Sequence, residues 1–145
     1  LVLVLDSIND PGNLGTIIRT ADAAGIQGVI LNKNCADLFS PKTLRSTMGS
    51  IFHLPIIYDL SDEHIITWRK QNHLQIVAST IDAKISMHEA DFGHPMAIIM
   101  GSEAHGVSDT YIKAADTHVS IPMRGKAESL NVAVATALLL YTARP

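Results

Sequence analysis

The chain has 145 residues, 47% of them apolar and 17% charged, with a formal net charge of −3. That length fits one domain, able to take roughly two-thirds of its unfolded surface out of water, and the composition excludes a disordered chain. The negative balance excludes a uniformly basic nucleic-acid grip. RNA phosphates would have to meet a local cluster, for which Arg19, Lys42, Arg45, Arg124 and Lys126 are the candidates, or a separate domain.

Leu1–Leu5 is a continuous apolar run rich in valine, the pattern of a strand covered on both faces. Asp6 to Asn13 is a dense turn signal. Leu14, Ile17, Ile18, Ala21 and Ala24 then share one helical face, with Asn13 as the expected N-cap, Gly25 as the stop and Arg19 off the apolar face. Gly28–Leu31 reads as the second strand. Ser40 followed by Pro41 opens a helix expected to run to about Ser50. Phe52–Tyr58 reads as a third strand in which Pro55 points to an edge or an end.

Ser61–Asn72 is the next helix, with Ser61 as cap and Asp62 and Glu63 in its first turn. Leu74–Ser79 is a fourth strand, Ala83–Gly93 is irregular, and Pro95–Met100 is a strongly apolar fifth strand. Ser108 caps a short helix to about Ala115, Thr117–Ile121 is the last strand, and Ser129–Thr142 is the last helix, with Ser129 as its cap. Strands alternate with helices and no linker interrupts them, so the fold class is α/β, a parallel sheet between helices in a single domain over residues 1–145. The last helix is apolar around nearly its whole circumference. A helix of that kind needs cover from more chain or from a second copy of the protein.

Cys35 is the single cysteine, which excludes an internal disulfide and points to the cytoplasm. No apolar window approaches the roughly 20 residues of a membrane span, and no His, Cys or carboxylate spacing points to a metal. Because Leu1 lies directly inside a strand pattern, the expectation is a domain taken from a longer protein. Three stretches share one character, a strand end followed by a polar loop and a helix start: Asp6 to Arg19, Gly101 to Ser108, and Ile121 to Ala133. Such junctions offer unpaired backbone groups and oriented N–H donors, so three of them point to one ligand site.

Taken together these loops are recognisable. Asn13-Leu14-Gly15 with Arg19-Thr20-Ala21, Gly101-Ser102-Glu103-Ala104-His105-Gly106, and Ile121-Pro122-Met123 with Ser129-Leu130-Asn131-Val132 resemble the three ordered motifs of the SpoU (TrmH-like) RNA 2′-O-ribose methyltransferases. The resemblance implies a SPOUT fold, with a six-stranded parallel sheet flanked by helices and a C-terminal deep trefoil knot, a feature no pattern argument would reach. It implies S-adenosyl-L-methionine as cofactor, held against Gly101, Ile121, Met123 and Leu130. Asn13, Arg19, Glu103, Ser129 and Asn131 match the family's catalytic polar residues, with Arg19 as the group that activates the ribose hydroxyl or anchors the neighbouring phosphate. It also implies an rRNA or tRNA substrate, a homodimer through the knot-region helices, and an N-terminal RNA-recruiting domain absent from this chain.

Two other readings compete. A Rossmann-type nucleotide binder fits the α/β alternation, but Gly12-Asn13-Leu14-Gly15 is not the Gly-x-Gly-x-x-Gly pattern, and the second strand is followed by Asn32 and Lys33 rather than an acid. A non-catalytic RNA-binding or dimerisation module of the same fold would have little reason to keep all five polar motif residues.

Overall fold

The computed structural model describes residues 1–144. Strands β1 (Val2–Asp6), β2 (Gly28–Asn32), β3 (Ile56–Leu60), β4 (Gln75–Ser79), β5 (Ile85–Ser86), β6 (Met96–Gly101) and β7 (Thr117–Ser120) form one sheet in the order β3-β2-β1-β6-β4-β7-β5. Every pairing is parallel. The helices are α1 (Pro11–Ala23), α2 (Pro41–Thr47), α3 (Asp62–Gln71), α4 (Asp109–Ala114) and α5 (Val132–Ala143).

The sheet is buried on both faces, which is why its central strands read as unbroken apolar runs. Leu3, Leu5, Val29, Leu31, Val77, Ile98 and Met100 point to the side of α1 and α5, where Leu14, Ile17, Ile18, Leu139 and Leu140 meet them. Val4, Ile30, Ile76, Ala78, Ala97 and Ile99 point to the other side, against Ile65 of α3 and Tyr111 of α4. The period of two along each strand thus divides one run between two cores. On the first side α1 and α2 approach closely at Gly15, where an added Cβ would lie 2.4 Å from Ser46 Cβ and 2.6 Å from the Thr43 carbonyl oxygen.

Several expectations are corrected here. The sheet has seven strands rather than six, because β5 in the segment read as irregular pairs with β7 through Ile85 and Ser86, a piece too short to show a period. Helix α2 stops at Thr47, since Met48 and Gly49 both take positive φ, and Phe52 lies in a 3₁₀ turn, 87% exposed, so β3 starts only after Pro55. The edge position suggested by Pro55 is observed for β3. Helix α1 begins earlier than expected: Asp10 is its N-cap, accepting the Asn13 N–H at 2.7 Å, with Pro11 in its first turn. Helix α5 begins later, at Val132, capped by Asn131 rather than Ser129. Ser108 does precede α4, but its side chain makes no capping bond.

Candidate active site

The carboxyl ends of the adjacent strands β6, β4 and β7 open into a cavity of about 470 Å³. Crevices outside the carboxyl ends of strands are where open parallel sheets bind ligands, and the volume lies within the roughly 300–1,000 Å³ of small-molecule sites. All four residues expected to hold a cofactor, Gly101, Ile121, Met123 and Leu130, line it, and so do Glu103 and Ser129. Its wall also includes Ser79 at the end of β4, Thr80, Ile81 and Asp82 of the loop that follows, and Glu128. The sequence reading did not single these out. The signal available was the polar Ser79-Thr80 pair at the end of an apolar strand, ambiguous until the strand order set β4 beside β6.

Gly101 shapes the cavity floor. The loop after β6 turns back on itself through a bridge between Ser102 and Gly106, so that an added Cβ on Gly101 would lie 2.0 Å from the Gly106 carbonyl carbon and oxygen and 2.2 Å from the Val107 nitrogen. Only a residue without a side chain lets the two limbs of the loop touch.

The three motif loops meet in a chain of side-chain hydrogen bonds. Asn131 Nδ2 donates to Asn13 Oδ1 at 3.1 Å, and Asn13 Nδ2 donates to Glu103 Oε1. The division of labour at the helix starts makes this possible. Asp10 takes the capping task at α1 and leaves the Asn13 carboxamide free. Asn131 caps α5 with its Oδ1, accepting the Ala133 and Val134 N–H groups at 2.9 and 3.3 Å, and keeps its Nδ2 for Asn13. The Asn13 N–H in turn holds the Asp10 carboxyl below the usual carboxylate range, with a further pull from Lys42 at 3.6 Å.

Ser129 is exposed at the cavity mouth and makes no side-chain hydrogen bond among the described residues, so it is available to a ligand. Arg19 stands apart. It is exposed on α1, does not line the cavity, and has neither a hydrogen bond nor an ion pair among the described residues. Cys35 is not part of the site; burial pushes its thiol up to about 11, so it stays protonated at neutral pH. Among the described residues no group of three or more His, Cys, Asp or Glu is placed to hold a metal ion, and no helix is long and apolar enough to cross a membrane.

The charge of the cavity wall is one-sided. Asp82, Glu103 and Glu128 line it, whereas no Lys or Arg does. A pyrophosphate would meet carboxylates without a Lys or Arg to offset them. A ligand carrying positive charge and an apolar body finds complementary walls in these acids and in Met100, Ile121, Leu130 and Val132.

A family model described as the SpoU rRNA Methylase family matches residues 1–141. The chain belongs to this family. Its fold is accordingly that of the SpoU methylases, and the Rossmann-type alternative is set aside. Among the most similar relatives, 23S rRNA (guanosine(2553)-2′-O)-methyltransferase RlmP of Bacillus subtilis is 39% identical over 143 residues, which cover 99% of this chain and 57% of that protein. Of the solved structures, the SpoU methyltransferase AviRb of Streptomyces viridochromogenes in complex with the cofactor AdoMet superposes with a TM-score of 0.94 at 35% identity, over 99% of this chain and 58% of that one. The AdoMet-bound rRNA methyltransferase of Sinorhizobium meliloti gives a TM-score of 0.94 at 41% identity, over 99% and 55%. This SpoU domain therefore spans little more than half of each of these proteins.

Proposed function

We propose that this SpoU domain binds S-adenosyl-L-methionine in the cavity at the ends of β6, β4 and β7 and methylates a ribose 2′-hydroxyl of rRNA or tRNA. The observation that carries the reading is the cavity wall, where three carboxylates and, among the described residues, no Lys or Arg surround an apolar floor, which suits a sulfonium with an amino-acid tail. The AdoMet complexes of the AviRb and Sinorhizobium proteins and the 2′-O-methyltransferase name of the Bacillus relative support it.

When bound, S-adenosylmethionine supplies an activated methyl group that a ribose oxygen can displace from sulfur. The chain's own residues have the remaining tasks of binding, orientation and stabilising the hydroxyl oxygen as its proton passes to solvent water. Gly101, Ile121, Met123 and Leu130 hold the cofactor, largely through backbone at the strand ends. Glu103 fixes the Asn13 carboxamide, and Asn131 fixes it from the other side, so that a polar edge of set orientation faces the ribose. Ser129 offers a free hydroxyl to the same ribose. Arg19 is assigned to the RNA phosphate and to charge developing on the attacking oxygen, since a guanidinium is held protonated and is a poor base. Its exposure, and its lack of a partner among the described residues, suit a group waiting for substrate.

The test is thermal melting with S-adenosylmethionine, its demethylated product, or NAD. A methionine compound at a hundredfold excess over its dissociation constant should add about 2.7 kcal/mol, a rise of several degrees in a domain of this size. Transfer of a labelled methyl to rRNA or tRNA, at a linkage that then resists alkaline cleavage, completes the assignment. A rise with NAD alone, or with none of the three, would overturn it. In the last case the non-catalytic RNA-binding or dimerisation module becomes the better reading.

Two parts of the reading concern partners. On α5, Val132, Ala133, Thr136, Leu139 and Leu140 are buried, while Val134, Leu138 and Tyr141 form a stripe on the opposite face that is 50%, 39% and 56% exposed. A homodimer through this stripe gives the all-apolar helix its missing cover. Sedimentation at micromolar concentration should show the dimer; a monomer throughout would remove it. The net charge of −3 supports RNA recruitment by a separate N-terminal domain, and work on rRNA or tRNA implies a cytoplasmic location.

A further inference from the structure

Asp6 was part of a turn signal in the sequence, yet its side chain is among the most buried charged groups, at 2% exposure. Each polar neighbour donates to it. The Ser108 N–H reaches Oδ2 at 2.7 Å, while Asn32 Nδ2 and Ser7 Oγ reach Oδ1 at 2.9 and 3.1 Å. None of the ion pairs among the described residues involves it.

The position of Ser108 gives this arrangement its meaning. Asp6 ends β1 and pairs in register with Gly101, the last residue of β6. Ser102 to Val107 then wall the cavity, and Ser108 is where the chain leaves the loop for α4. Up to Gly106 the two limbs are tied to each other, by the bridge between Ser102 and Gly106 and by the His105 N–H on Ser102 Oγ at 3.2 Å. Beyond Gly106 the return limb lacks the expected anchor, because Ser108 makes no capping bond and its Oγ is buried without a partner among the described residues. The carboxylate of Asp6 holds that limb.

We propose that Asp6 is a positioning residue: by accepting the Ser108 N–H it sets the loop that carries Glu103 and one wall of the cofactor cavity. Behind it, Asn32 Nδ2 also donates to Asp62 Oδ1 at 3.0 Å, and the fully buried Tyr111 hydroxyl donates to the same oxygen at 2.9 Å. This continuation ties α3 and α4 to the sheet; the Tyr111 ring packs with Val107 at the end of the loop, but its hydroxyl, the only group Tyr111→Phe removes, bonds Asp62 and not the loop. Asp6 and Tyr111 therefore have separable roles, one in loop geometry and the other in stability. The effect of Asp6 on cofactor binding rests on the methyltransferase reading, whereas its effect on the loop does not.

Asp6→Asn keeps the shape but replaces an acceptor by a donor, so one of the flanking N–H groups must face another donor. Amide exchange in Gly101–Ser108 should quicken by about tenfold or more while exchange in β1 and β4 stays within twofold, and the dissociation constant for S-adenosylmethionine should rise by about tenfold. Tyr111→Phe is the control, expected to lower Tm while leaving loop exchange and the dissociation constant within twofold of wild type. Unchanged loop exchange in Asp6→Asn, exchange quickened evenly across the sheet, or the same loop effect in Tyr111→Phe would each overturn the proposal. If the unaltered protein fails to bind S-adenosylmethionine, the methyltransferase reading falls, and the exchange comparison still decides the role of Asp6.

Discussion

Gly101→Ala is expected to abolish cofactor binding and to destabilise the domain by about 1–3 kcal/mol or more, the range for forced overpacking. The added methyl would occupy the place of the Gly106 carbonyl group and the Val107 nitrogen, 2.0–2.2 Å away. Both obstacles are backbone, so no rotamer change relieves them. Either the loop after β6 lifts off its strand or β6 shifts within a sheet buried on both faces. The first outcome costs less and ruins the cavity wall. Calorimetric titration with S-adenosylmethionine should show at least a hundredfold loss of affinity, together with a lower Tm. Near-normal affinity in this variant would mean that the cofactor does not lie against this loop.

Asn13→Ala should have the opposite profile, a large effect on turnover and little on stability. Its carboxamide is the centre of the chain from Asn131 to Glu103. The helix start does not depend on that side chain, because the capping bond runs from the Asn13 backbone N–H to Asp10. Loss of a placed polar group at a reacting centre costs on the order of a hundredfold in rate, whereas truncation of a half-buried side chain outside the caps and the apolar core should cost no more than about 1 kcal/mol. Single-turnover methylation should therefore fall about a hundredfold with Tm nearly unchanged. Arg19→Lys, which retains charge but loses the guanidinium fork, should also leave Tm unchanged and slow transfer by about tenfold. Wild-type turnover in either variant would remove that residue from the catalytic assignment.

Much of this molecule is legible from its sequence, and the limit falls where contacts become distant. Leu1–Leu5 and Pro95–Met100 show their burial in composition alone, because a strand covered twice has no polar face to display. Ser40-Pro41 and Ser61 name their helix starts, since a cap bonds within three residues of itself. The same local rule misassigned α1 and α5: Asp10 competes with Asn13, and Asn131 with Ser129, and a string of turn residues does not say which will take the N–H groups. The structure gives the capping bonds to Asp10 and Asn131, which leaves the Asn13 carboxamide and the Ser129 hydroxyl outside them.

What the sequence determined by itself is the set of elements apart from the two-residue β5, their two-faced burial and the three loops rich in polar and glycine residues, because these depend on spacings of two to four residues along the chain. What only the tertiary structure decided is which groups meet. Asn131 reaches Asn13 across 118 positions, Asn13 reaches Glu103 across 90, and Asp6 holds Ser108 across 102. Those encounters follow from β6 lying between β1 and β4 and from α1 packing beside α5. A strand order is settled by the packing of whole layers, a quantity that no local periodicity records.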